Sequence, residues 1–76
     1  MSLKAFLEVM LSRLLRVRNA CNKADTEHWA TVSHGCNSGA FLVGALEADQ
    51  RDRIDYLIEN AKTTREAELA AMQVAA

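Results

Sequence analysis

The sequence has no proline, three glycines, two cysteines and only 5% aromatic residues, although half of its 76 residues are apolar. Each shortage removes a class of structure. Scarce aromatics and missing proline take away the usual stabilising devices of a small β fold, leaving an all-helical domain as the natural expectation. Two cysteines cannot make the dense disulfide framework of a secreted miniprotein. No run of about 18 uncharged apolar residues exists, so no segment is expected to span a membrane. A net charge of −1, with no aromatics interleaved among the arginines, speaks against nucleic acid as the favoured partner.

A chain of this length forms one domain at most and buries only about 60% of its unfolded surface. Domains this small commonly need a metal, disulfides or a partner. Oligomerisation is the expected help, with a homodimer as the first form to look for. The charge is unevenly spread: Lys4, Arg13, Arg16, Arg18 and Lys23 face only Glu8 in the first segment, whereas the chain from Asp25 onward is acidic in sum. The apolar, Arg-rich start "MSLKAFLEVMLSRLLRVR" resembles a transit peptide or a membrane-surface helix in composition. Glu8 and the lack of a small-residue cleavage site favour a bundle helix instead.

The periodicity predicts three helices, over about residues 2–24, 26–47 and 50–73, in a single domain. Leu3, Leu7, Met10, Leu14, Val17, Cys21 and Ala24 alternate by four and three and form the expected seam of the first. Phe6, Leu11 and Leu15 widen that stripe, as for a helix with two neighbours. "KADTEHW" offers a restart with Asp25 or Thr26 as N-cap. From there Trp29, Val32, Cys36, Gly39, Val43 and Leu46 hold helical phase, which favours a continuous helix through "SHGCNSG". Gly35 and Gly39, one turn apart, would give it a small face for the close approach of another helix. A methyl added at Gly39 should then overpack and destabilise. "LEADQRDRI" repeats the punctuation, with Asp49 as N-cap, and a third stripe follows through Ile54, Leu57, Ile58, Ala61, Arg65, Leu69 and Met72. Three elements of nearly equal length, each about 33 Å long, suit an all-α, up-down-up three-helix bundle or a long helical hairpin that dimerises.

The turn "LEADQRDRI" resembles that of the Rop-type helical hairpin, a small plasmid protein family that dimerises into a four-helix bundle and binds paired RNA loops. "GAFLVGALEADQRDRIDYLIENA" is similar in style to small helical orphan proteins of bacteriophages and plasmids. That resemblance implies an inhibitor or adaptor that binds a host macromolecule, and no enzyme.

Cys21, His28, His34 and Cys36 are zinc-ligand types, but their spacing lacks a close Cys-x-x-Cys or His-x-x-x-His pair. On a helix, His28 and His34 lie about 120° apart and His34 and Cys36 about 160° apart, so they diverge. The expectation is no metal site and no cofactor. A Cys21–Cys36 disulfide would bridge an axial mismatch of about 10 Å, so free thiols in a reducing cytoplasm are expected. Three thin helices rarely enclose a catalytic cleft, so a Cys–His pair is not read as a nucleophile and base. The expected function is protein binding, with Arg13, Arg16, Trp29, Gly35, Gly39, Asp52 and Asp55 as partner-binding candidates. A zinc-stabilised or RNA-binding helical module is the alternative.

Overall fold

A computed structural model describes residues 2–75, and they form three α-helices: α1 (Leu3–Arg18), α2 (Lys23–Leu42) and α3 (Ala48–Ala75). Every helix packs against the other two. Arg16 of α1 lies over Trp29 of α2, and His34 of α2 binds Asp55 and Glu59 of α3. Between α2 and α3 the partner numbers fall in one helix as they rise in the other, so the two run antiparallel. Arg18 pairs with Glu68, while Leu3 and Leu7 lie beside Gln50 and Ile54, which is the pattern of parallel neighbours. The topology is up-down-up, a three-helix bundle rather than a long two-helix hairpin.

The helices are not of matched length: 16, 20 and 28 residues correspond to about 24, 30 and 42 Å at 1.5 Å per residue. The first break falls earlier than the "AD" pair suggested. α1 stops at Arg18, and Asn22 caps α2 by accepting a 2.8 Å hydrogen bond from the Asp25 N–H. Asp25 therefore sits in the positive first turn rather than at the cap. Thr26 is fully buried, and its hydroxyl donates to the Asn22 carbonyl at 2.8 Å. At the second break Gly44 has φ of +80°. Its N–H donates to the Phe41 carbonyl and that of Ala45 to the Ala40 carbonyl, at 3.0 and 2.9 Å. This is the paired bonding that closes a helix around a left-handed residue, so Gly44 ends α2. The Gln50 side chain accepts from the Glu47 N–H at 2.9 Å, which makes Glu47 the residue before α3 and puts Asp49 in its first turn.

The core differs from the expected seams. In α1 the buried residues are Phe6, Met10 and Val17, while Leu3 and Leu7 are exposed, and Cys21 and Ala24 are exposed beyond the helix end. α1 is apolar around most of its circumference, so phase alone does not choose among its stripes. In α2 the innermost stripe is Thr26, Ala30, Ser33 and Asn37, with Trp29, Cys36 and Ala40 only partly buried against the core. The Ser33 hydroxyl donates to the Trp29 carbonyl at 2.7 Å. Self-bonded hydroxyls go into a core at little cost, and hydropathy does not register this. The small face of α2 exists, but it is this stripe and not the glycines.

Gly35 and Gly39 are exposed, and a Cβ built on either meets nothing within 4 Å. The expected close approach of another helix is therefore absent within the chain, and so is the reason for a methyl to destabilise. Gly39→Ala should raise stability by about 0.5–1 kcal/mol through helix propensity. Gly44→Ala, at positive φ, should lower it by about 1–2 kcal/mol. Urea melts of the two variants should shift in opposite directions, and a Gly39→Ala loss would place a neighbour on that face.

Candidate functional site

The sequence-derived partner candidates do not share one surface. Arg13 is half-buried, beside Phe6, Cys36 and Ala40 in the α1–α2 groove, and its Nε has no partner among the described residues. Arg16 stacks its guanidinium 4.7 Å from the Trp29 ring centre, which occupies both residues with each other. Asp52 is exposed and bonded to Arg51 at 3.0 Å. Asp55 is half-buried and committed to an internal cluster. Among the zinc-ligand types, Cys21 and His28 are exposed, Cys36 is half-buried, and His34 is bound by two carboxylates. No group of three or more His, Cys, Asp or Glu is placed to hold a metal among the described residues. Both thiols are free.

The internal cluster is a clasp between α2 and α3. His34 Nδ1 lies 2.9 Å from Asp55 Oδ1, and Nε2 lies 2.7 Å from Glu59 Oε1. Asp55 and Glu59 are one turn apart on α3, which aims both carboxylates at one ring. Beneath them Asn37, fully buried, donates from Nδ2 to Asp55 Oδ1 at 2.8 Å and to the Arg51 carbonyl at 3.0 Å. With a carboxylate on each nitrogen, the ring is matched only when both nitrogens carry protons. Burial alone would lower the His34 pKa, but the bonds to Asp55 and Glu59 outweigh it and hold the value above the ordinary 6.5. Burial would likewise raise Asp55, and the bonds from Asn37 and His34 hold it below 3.8. Neither ring nitrogen is left to serve as a base, so the clasp is a structural lock rather than a catalytic pair.

The sign of the pH effect follows. A raised histidine contributes stability fully below pH 6.5 and loses it as pH rises through the folded value; a depressed aspartate contributes above pH 3.8 and loses it as pH falls. The clasp is therefore strongest between these limits. The stability difference between the wild type and His34→Gln should be largest near pH 5.5 and should shrink by pH 8.5. Denaturant melts at the two pH values measure it, and an unchanged difference would contradict the doubly protonated ring.

The opposite side of the bundle is apolar where it meets solvent. Leu3, Leu7, Leu11 and Leu15 repeat every four residues along α1, and Leu57 stands beside them on α3; these five side chains are between 43% and 59% exposed. Leu11 and Leu15 share a hollow with Leu57 and Arg18, and Leu3 and Leu7 share another with Ile54 and Arg53. Tyr56, 72% exposed, borders a third with Asp52, Arg53 and Leu57. Scattered exposed leucines are ordinary, whereas a continuous row of this kind is a candidate contact surface.

No protein family, curated protein or solved structure matches this chain. The site therefore rests on geometry. The apolar pattern of α1 puts Leu3 and Leu7 in the seam and Leu11 and Leu15 in its widened stripe, whereas all four are exposed. The signal for the exposed row was the number of large apolar residues on α1, which exceeds what two neighbouring helices can cover. No helix among the described residues is long and apolar enough to cross a membrane.

Proposed function

We propose that this protein is an interaction module that binds another protein through the α1–α3 leucine face, acting as an inhibitor or adaptor by occupying its partner's surface. The observation that carries this reading is the row Leu3, Leu7, Leu11, Leu15 and Leu57, half exposed along one face; Val9, Leu42, Val43, Tyr56 and Met72 are also exposed, but α1 repeats its leucines every four residues only here. In a domain this small each such side chain is core that the fold could have used, worth about 1.5–3 kcal/mol if fully buried. Leaving five outside is explained by burial against a partner. The arginines of α1 give an RNA-binding reading less support: Arg16 is held on Trp29 and Arg18 on Glu68.

A photo-crosslinking amino acid at position 11, compared with one at the exposed Thr31 of α2, tests the reading in the cells that make the protein. A discrete protein adduct from position 11 and none from position 31 is expected. Equal labelling from both positions, or none from position 11, would overturn it.

A further inference from the structure

We infer that the partner of the leucine face is an acidic amphipathic helix, seated along the α1–α3 groove as the fourth helix of the bundle. The inference rests on the proposed interaction function and adds the chemistry of the occupant. The groove is a row of hollows: one bordered by Leu3, Leu7, Arg53 and Ile54, the next by Leu11, Leu15, Arg18 and Leu57. Their centres lie eight residues apart along α1, from the Leu3/Leu7 pair to the Leu11/Leu15 pair. That is about 12 Å, two helical turns. A helix laid along the groove fills both with apolar anchors seven or eight residues apart, as helix-in-groove recognition requires.

The charges select its sign. Neither of these two hollows is bordered by a carboxylate, and each holds an arginine. The carboxylates of α3 nearest in sequence are turned to other work: Asp55 and Glu59 bind His34, and Asp52 binds Arg51. Arg18 is shared with Glu68, whereas Arg53 and Lys4 are exposed and form no ion pair among the described residues. Glu8 is the single acid of α1. With Asp52 bound to Arg51, Lys4 and Arg53 outnumber the exposed Glu8, so the rim offers a net positive charge to the flanks of whatever fills the hollows. A second copy fits less well than an acidic helix, because this face carries no surplus of carboxylates to meet its own Lys4 and Arg53. The homodimer expected from chain length thus yields to an acidic partner.

The experiment uses three labelled synthetic peptides and fluorescence anisotropy on the full chain. One is an 18-residue helix with leucines at positions i, i+4, i+7 and i+11 and glutamates on its flanks. The second carries lysines in place of the glutamates, and the third keeps the composition but respaces the leucines. The glutamate peptide should bind at least tenfold more tightly than either of the others. Lys4→Glu with Arg53→Glu should erase or reverse the preference between glutamate and lysine peptides, and Leu11→Lys should abolish binding with helicity retained. Equal binding of the lysine peptide overturns the acidic partner. So does self-association that excludes the peptides, or displacement of the glutamate peptide by an RNA hairpin. Failure of all three peptides, together with a position-11 crosslink to a protein, overturns the helical occupant but leaves the interaction function standing; failure of both removes the function as well.

Discussion

Asn37→Asp is expected to destabilise the fold by about 3–5 kcal/mol at neutral pH, the scale for an uncompensated buried charge. The substitution is isosteric, so packing is unchanged. What changes is that the Nδ2 donor, 2.8 Å from Asp55 Oδ1 and 3.0 Å from the Arg51 carbonyl, becomes an acceptor. Two carboxylates would then face each other, one at a position with no exposure and the other, Asp55, half-buried. Loss of the donor also takes from Asp55 one of the bonds that keep its pKa low. Acidification should return part of the lost stability, because a proton shared between the two carboxyls restores a donor. Asn37→Leu should cost less than Asn37→Asp, since it removes the amide oxygen that has no partner among the described residues. Denaturant melts at pH 7 and pH 4.5 give all three values, and an aspartate tolerated at neutral pH would mean that the amide does not bridge α2 to α3.

The second large effect separates two neighbours on α3. Ile58 has no exposed surface, and Leu57 is half exposed. Truncation of Ile58 to alanine should cost about 2–5 kcal/mol, from lost transfer energy and the cavity left behind. Leu57→Ala should cost under about 1 kcal/mol in the isolated chain, because its removal opens a groove and not a cavity. The sequence pattern placed both in one stripe, so it predicts similar losses. Thermal and urea melts of the two variants decide between the pattern and the structure.

Those two residues show how far the sequence was legible. The existence of three helices was readable because apolar periodicity and polar punctuation agree, and α2 does run without a break through Gly35 and Gly39. The helix ends were less so. Asn22, Glu47 and Gly44 set them by capping geometry, while Asp25 and Asp49 are equally good residues for the first turn that follows a cap. The interior of α2 was not legible from apolarity, since Thr26 and Ser33 satisfy their hydroxyls on their own helix and can be buried like alanines. The clasp required register: His34 meets Asp55 and Glu59 only once the α2–α3 turn fixes which residues stand opposite. The leucine face was not legible: the pattern assigns Leu11 and Leu15, with Phe6, to a stripe widened for a second neighbour, and the rotation of α1 that buries Phe6 and exposes Leu3, Leu7, Leu11 and Leu15 depends on both neighbours.

That rotation carries the functional account, and solvent relaxation of the methyl groups tests it most directly. With a soluble paramagnetic probe added to the isolated protein, the methyls of Leu7, Leu11, Leu15 and Leu57 should relax strongly while those of Val17 and Ile58 stay protected. If Leu7 and Leu11 are instead shielded to the level of Ile58, α1 is turned with its leucine row inward and the proposed binding face does not exist.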